Sequence, residues 1–455
     1  MLLEQKRRLS QSRIWQWQRR YYTSEGAAAW QRGTVPHYVT SNAFIAAAYA
    51  QVVLGFLRDV PRQPGAAADA TQPLYIVELG AGVGRFAYHF VTQLAPLLAR
   101  APFAVPPIRY VLTDLAEANV QYYRSHPRLQ PLFDAGLLDC ARFDVEADTE
   151  LQLRHSGVTL SPGSLKQPLL CIANYVFDSV PQDAFFVENG RLHESLLWLQ
   201  VDTPVLDLDD PALLSRVEIE IEHLPVSGPY YSDETWERIL QSYVRPGERG
   251  ELVFPCAALL CLSRLRALAS CGLLLLSADK GAHAADDVLS PMPGWSVHGS
   301  CSLSVNYHAI AEWTRAQGGQ CMHRQSRESG LSLNAFAFGL PELGETRLAF
   351  DTHLATGGPG DLFLLKKFLE NHYDSLSLEQ MLSLLRLAAF DGQIFAGCVA
   401  NLRRQIAAGG LPVGLRADLT AALQKVRELY FSIGEARALE PEIAQLLSLL
   451  QASSG

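Results

Sequence analysis

The chain of 455 residues lacks most of the signatures that commit a sequence to one chemistry. Its eight cysteines include no C-x-x-C pair, and the closest two, Cys256 and Cys261, are spaced for one helix, so reduced thiols in a cytoplasmic protein are expected. There is no G-x-S-x-G elbow, no G-K-[ST] phosphate loop and no H-E-x-x-H helix. His298, His308, His323 and His353 have no ligand-like spacing, and no metal is expected. A net charge of -9 and a pI near 5.8 exclude the broad basic surface that nucleic-acid binding needs. The apolar runs 252–265 and 268–278 are broken by Arg264 and Arg266 and fall short of the roughly 18 residues that span a bilayer. They read as a buried helix and strand, and no membrane segment is expected. The first eight residues lack the apolar core of a signal peptide; the Arg, Ser and Gln bias of the amino terminus suits a transit peptide, but an amphipathic helix carrying Trp15 and Trp17 is the expected reading.

What is present is an apolar run, Leu74-Tyr75-Ile76-Val77, followed by Glu78-Leu79 and then Gly80-Ala81-Gly82-Val83-Gly84 ahead of an amphipathic helix. Glycines at the end of a strand let the backbone turn sharply and bring a ligand against main-chain N–H groups at the helix start. A dinucleotide fingerprint needs its third glycine at position 85, which is Arg85 here, and an acid precedes the glycines. The spacing therefore favours a cofactor without a pyrophosphate over a nicotinamide dinucleotide. S-adenosylmethionine fits: Glu78 can face its cationic methionine end while Gly80, Ala81, Gly82 and Gly84 accept its body.

Ile108 to Asp114 reads as a second buried strand ending in a carboxylate, where α/β folds hold a ribose. Asp114, with Leu115 beside it, is a ribose candidate; a helix cap before Ala116-Glu117 is the plain alternative, and both roles can coexist. Ala141 to Val145 ends a third strand, with Asp144 placed for an adenine amino group or else as a solvated loop acid. The fourth strand, Leu169 to Asn174, runs into Tyr175-Val176-Phe177-Asp178-Ser179-Val180-Pro181. An apolar run that stops at Asn-x-x-x-Asp before proline has the form of a site edge.

Together these segments resemble the MidA family of class I S-adenosylmethionine-dependent methyltransferases, which includes mitochondrial complex I assembly factors. Its E-L-G-x-G-x-G pattern corresponds to Glu78 through Gly84, and its A-N-E-F-F-D-A-L-P segment to Ala173 through Pro181. Tyr38 to Phe44 is similar to its F-x-T-S-P-E segment, Leu273 to Gly281 to its L-x-x-D-Y-G strand end, and Ser304 to Tyr307 to a further strand; the resemblance covers about residues 30 to 340. It implies an α/β fold with a Rossmann-like doubly wound sheet, a protein acceptor with arginine as the candidate side chain, and Thr40 and Ser41 near the cofactor. It also implies Asn174 near the transferred methyl, with Asp178 and Tyr175 orienting or deprotonating the acceptor. Three departures stand out: Tyr175 replaces the family glutamate, Lys280 the tyrosine of D-Y-G, and Asn42-Ala43 the Pro-Glu pair. A catalytically silent S-adenosylmethionine-binding module that recruits a protein partner is therefore the alternative to an enzyme.

Pattern breaks divide the chain into a helical segment over 1–72, with a Pro/Gly/Ala loop at 61–72, a methyltransferase domain over 73–345 and an all-α region over 346–455. Within the middle domain a β-rich insertion is expected at about 190–250, where Glu218, Glu220 and Glu222 alternate along a half-buried strand. Strands near 302–307 and 333–339 are expected to finish the sheet. In the last region Ser377-Leu378-Glu379-Gln380 has the form of a capping box, and successive helices suggest a tetratricopeptide-like array offering a surface for a protein partner.

Overall fold

The structure is a computed structural model that describes residues 1–31, 38–63, 72–202, 207–290, 296–297, 300–325, 330–433 and 439–452. Most of the expected 61–72 loop, together with His298, lies outside those residues. Packing divides the chain into two compact units: Met1–Pro36, Asp59–Gly82 and Pro106–Gly344 form the first, and His37–Arg58, Val83–Val105 and Glu345–Gly455 the second. These boundaries cut across the three consecutive segments that the sequence suggested.

The first unit begins with a strand, β1 (Leu2–Arg8), and the helix α1 (Arg13–Glu25). Its main sheet is built from β2 (Leu74–Leu79), β3 (Ile108–Asp114), β4 (Leu138–Arg142) and β5 (Leu169–Asn174). A second group, β6 (Asp183–Glu188), β7 (Arg191–Gln200), β8 (Glu218–Pro225) and β9 (Arg249–Phe254), follows before the main sheet resumes with β10 (Leu273–Ala282), β11 (Gln320–Gln325) and β12 (Leu331–Phe338). The order across the main sheet is β11-β12-β10-β5-β2-β3-β4. The pairs from β10 to β4 are parallel, and β12 runs antiparallel to both β10 and β11. Every residue of β2 is buried, as are the first five of β5, which is what covering both faces of a parallel sheet requires and why these strands read as unbroken apolar runs. One core on this sheet joins Val77, Leu79, Val111 and Cys171 to Leu259, Leu262 and Leu265 of the helix Cys256–Leu268.

The second sheet is antiparallel, in the order β1-β7-β6-β9, with β8 also paired to β7. The expected helix carrying Trp15 and Trp17 is present as α1, but the residues before it depart from the helical reading. Leu2–Arg8 lies along β7 from Leu2 opposite Gln200 to Arg8 opposite Leu196, and Glu4 is buried because it accepts hydrogen bonds from Ser12 Oγ (2.7 Å) and the Arg13 amide (2.9 Å) at the start of α1. The strand expected near 302–307 is present but short. Val305–Asn306 makes a short bridge to the end of β10, and the Asn306 side chain then caps the helix Tyr307–Ala316 by accepting from the Ala309 amide. The apolar run 252–265 divides into the end of β9 and a helix from Cys256, rather than forming one helix.

The second unit is helical. α2 (Ala43–Asp59) and α3 (Arg85–Ala99) join α4 (Leu378–Leu387), α5 (Gly392–Ala407), α6 (Val413–Leu429) and α7 (Glu440–Ala452), among others. Ser377 and Gln380 form the capping box at the start of α4. Gly397 is required inside α5 because a Cβ there would lie 2.3 Å from a Tyr373 ring carbon. The stretch Ala43–Arg62 has the length and mean hydropathy (1.5) of a membrane-crossing helix, yet 78% of that window is buried inside the protein, as in the core helix of a globular domain.

Candidate functional site

In the main sheet the chain moves outward from β2 through β3 to β4 and then returns to the other side of β2 as β5. The carboxyl ends of β2 and β5 therefore border the switch point where open α/β sheets bind ligands. Gly80 and Gly82 take φ of +61° and +58°, a region that only glycine occupies without strain. Between them the Ala81 amide donates to the Thr113 carbonyl (2.8 Å) and the Gly82 amide to Asp114 Oδ2 (3.1 Å), which pins the turn to the end of β3. A Cβ at Gly80 would sit 3.2 Å from Val176 Cγ2, so the segment after β5 lies directly against the turn.

Asp114 is buried. Its Oδ1 accepts from the Ala116 amide (2.9 Å) in a local turn, but the helix Glu117–Ser125 has Ala116 as its N-cap without a side-chain cap, so Asp114 braces the glycine turn and does not cap that helix. A carboxylate has about four acceptor sites, and the remainder suit ribose hydroxyls. Burial raises its pKa against the opposing hydrogen bonds from the Ala116 and Gly82 amides and against the nearby Asn119 and Tyr123 side chains, which come close without bonding to it. Leu115 is half-buried beside it. Glu78 is buried and accepts from the Tyr110 hydroxyl at 2.8 Å. Burial pushes its pKa up to about 8, the Tyr110 hydrogen bond opposes that rise and the charge of Asp114 adds to it. The group is thus neutral at pH 7 until a cation beside it favours ionisation.

Asp144 is held differently. Arg19 of α1 donates to both of its oxygens, with Nη1 at 3.0 Å from Oδ1, and the same Nη1 reaches Glu146 at 2.7 Å. Burial would raise the Asp144 pKa, but the Arg19 guanidinium and the Glu146 amide more than offset it and hold the group below its ordinary value. An adenine amino group would have to share these oxygens with a bidentate arginine.

Beyond β5, Asn174 is half-buried and Tyr175 takes φ of +54°, an uncommon conformation for a bulky residue, with its amide donating to the Ala278 carbonyl (2.9 Å). This bend is fixed by Asp279 at the end of β10. Its Oδ2 accepts from the amides of Val176 (3.2 Å) and Phe177 (3.1 Å) and from the Tyr307 hydroxyl (3.5 Å). The carboxyls of Asp178 and Asp279 come within hydrogen-bond reach of each other, both are buried, and Asp279 Oδ1 meets no donor in the protein. The charge of Asp178 works against ionisation of Asp279 and favours its protonated form. Burial raises Asp178 to about 6, opposed by the Ser179 hydroxyl (2.7 Å) and by Lys280; burial and the charge of Asp178 raise Asp279 well above the ordinary carboxyl range. Tyr22 of α1 brings its hydroxyl to Ser179 and Ser300 beside this pair, and the Tyr175 phenol is raised first by burial and then by the charges of Asp279 and Asp178.

One unit thus brings together Glu78, Gly80, Ala81, Gly82, Asp114 and Leu115 at the turn, and Tyr175 and Asp178 around Asp279. Asp144 sits with Arg19. Gly84, at φ +76°, and Thr40 and Ser41, in a short helix Tyr38–Ser41, belong to the other unit, where Asn42 takes up the capping of α2 by accepting from the Ile45 amide (3.0 Å). Sequence reasoning quoted Asp279 but gave it no role, although an acid closing an apolar strand is the signal that singled out Asp114. For Arg19 and Tyr22 no such signal exists, because their partners lie more than 120 residues away.

A mixed sheet of this order, parallel up to its last two strands, with a glycine turn at the β2–β5 switch point, resembles a class I methyltransferase fold. Solved structures include distant likenesses. A superfamily member from Burkholderia thailandensis bound to S-adenosyl-homocysteine is 15% identical, with a TM-score of 0.42 over 68% of this chain and 80% of that one. An uncharacterised protein of the same superfamily and organism is 13% identical, with a TM-score of 0.42 over 73% and 89%. The 1,6-didemethyltoxoflavin-N1-methyltransferase of B. thailandensis is 11% identical, with a TM-score of 0.32 over 70% and 86%. No protein-family model and no curated protein matches the chain.

Proposed function

We propose that this protein transfers a methyl group from S-adenosylmethionine to a protein side chain, with arginine as the candidate acceptor. The reading is carried by one observation: a turn of bare main chain at the switch point abuts, through Val176, a segment held by the buried Asp279 and carrying the buried Asp178. The residues present fit the cofactor at Gly80–Gly82, Glu78, Asp114 and Leu115, and fit it less well at Asp144. S-adenosylmethionine supplies an electrophilic methyl on a sulfonium. Glu78, protonated in the free protein, ionises to face that cation, and Asp114 takes the ribose hydroxyls. Asn174 lies at the strand end nearest the methyl, while Gly84, Thr40 and Ser41 are assigned to the cofactor by resemblance. Asp178, ionised above about pH 6, takes the proton that the acceptor nitrogen loses as its bond to carbon forms. Tyr175 orients that nitrogen, and Asp279 keeps the bend in place. Most of the rate advantage would come from positioning donor and acceptor together in a site closed to water.

One feature favours the second reading, a silent cofactor-binding module that recruits a partner through its helical carboxyl-terminal region: Arg19 already occupies the acid suited to the adenine edge. Incubation with S-adenosylmethionine tritiated on its methyl group and a protein lysate separates the two. The catalytic reading expects label in protein with the wild type and little with Asp178→Asn. Binding of S-adenosylhomocysteine without any transfer of label would establish the silent module.

A further inference from the structure

The helix Glu117–Ser125, which follows β3, carries two polar side chains that no described residue satisfies. Asn119 and Tyr123 stand four residues apart and so share a face, and both are wholly buried. Neither the oxygen nor the nitrogen of the Asn119 amide makes a hydrogen bond, and the Tyr123 hydroxyl makes none. Both side chains lie beside Asp114 without bonding to it. Burial first, then the charges of Asp114 and Glu78, raise the Tyr123 phenol well above its ordinary range, so it stays protonated and able to donate. The end of α1 closes this corner: a Cβ at Gly26, which takes φ of +49°, would lie 3.2 Å from Ala118 Cβ and 3.5 Å from Asn119 Oδ1.

Three buried polar atoms without partners destabilise a fold unless something meets them. What meets them has to suit Asp114 as well. That carboxylate accepts from the Gly82 and Ala116 amides, one at each oxygen, and about two of its four acceptor sites remain. A vicinal diol matches the set: its two protons go to Asp114, and its two oxygens accept from the Asn119 amide and the Tyr123 hydroxyl. An amine or a single hydroxyl makes fewer of these bonds. From this arrangement we infer that Asn119 and Tyr123 bind the ribose hydroxyls of the cofactor together with Asp114, and make the site selective for a nucleoside that keeps both hydroxyls. The inference rests on the reading of Asp114 as the ribose acid. The unmet groups lower the stability of the protein alone, and binding of the diol restores it.

Calorimetric titration of the full chain with S-adenosylhomocysteine and with its 2′,3′-dideoxy analogue, alongside thermal melting without ligand, tests this. Tyr123→Phe removes only the hydroxyl, and Asn119→Leu keeps the branched shape of the side chain. Each variant is expected to bind S-adenosylhomocysteine at least about fivefold more weakly than the wild type, yet to melt at the same temperature or higher, because a buried unmet polar group is gone. Neither substitution should change binding of the dideoxy analogue. A role in packing gives the reverse, a lower melting temperature, and that result overturns the inference. So does an equal loss of affinity for both ligands. If the wild type binds S-adenosylhomocysteine and either variant binds it as tightly, the inference falls while the cofactor reading stands. A wild type that binds no S-adenosylhomocysteine removes the cofactor reading and the inference together.

Discussion

Two buried acid sites in the first unit show how neighbours decide what a carboxylate can do. Asp144 faces Arg19, which donates to both oxygens, and its pKa falls. Asp178 faces Asp279, whose Oδ1 meets no donor, and the pKa of both acids rises. Both acids follow apolar strands of one sheet and are about equally buried, so burial alone does not separate them. The difference is the guanidinium on Asp144, which more than offsets burial there, while at Asp178 burial outweighs Ser179 and Lys280. The first is a structural clamp between α1 and the end of β4, and the second can exchange a proton near neutral pH. The lesson for reading sites is that a buried acid gains proton chemistry from the cation it lacks.

The comparison can be broken most forcefully at the clamp. Arg19→Ala leaves Asp144 and Glu146 without their cation. Because that guanidinium is one-third exposed, a loss at the low end for a buried pair, about 3 kcal/mol of unfolding free energy at pH 7, is expected in urea denaturation. The Asp144 pKa is depressed on folding, so this stabilisation exists above its unfolded value and disappears as pH falls through the folded one; the deficit of the variant should shrink toward about pH 3. An undiminished deficit there would mean that Arg19 acts by packing.

Glu78 tests the opposite sign. Its pKa rises on folding from 4.5 to about 8, so the folded state binds the extra proton between those values and stability falls as pH rises from one to the other. Glu78→Gln keeps an acceptor for the Tyr110 hydroxyl and cannot ionise. It should stabilise the protein by about 3 kcal/mol at pH 7 and by nearly nothing at pH 4, measured by urea denaturation at each pH. A smaller effect is expected at the pair itself. Asp279→Asn retains the oxygen that accepts from the Val176 and Phe177 amides and presents an amide to Asp178, whose pKa should drop by about one unit, from about 6, in a carboxyl carbon NMR titration. An unchanged Asp178 titration would dissolve the pair. The smallest effect belongs to the acidic row of β8: Glu220 is exposed and bonded only to Gln200 at 3.0 Å, and Glu220→Gln should change stability by less than about 0.5 kcal/mol.

The sheet and its turn were legible because their chemistry is local. Gly80 and Gly82 carry the positive φ that their spacing announced, and β2, β5 and β10 are apolar because both of their faces are covered. What escaped the sequence depends on distant partners. Leu2–Arg8 has no alternating pattern and becomes a strand because β7 offers it an edge and the start of α1 offers donors to Glu4. Gln320–Gln325 is mostly polar and pairs only with β12, at the border of the sheet where one side needs no partner. The clamp on Asp144 comes from Arg19, 125 residues earlier, and the acid pair joins Asp178 to Asp279 across two neighbouring strand ends. Spacing along the chain carries none of these pairings.

The most direct test of the account is calorimetric titration of S-adenosylhomocysteine into the wild type and Gly82→Val, with circular dichroism to confirm that both are folded. Valine at φ +58° strains the turn that bears the Gly82–Asp114 hydrogen bond, so the account predicts one-site binding by the wild type and none by the folded variant. A wild type that releases no heat and shows no thermal shift, or a folded Gly82→Val that binds as tightly as the wild type, would contradict it.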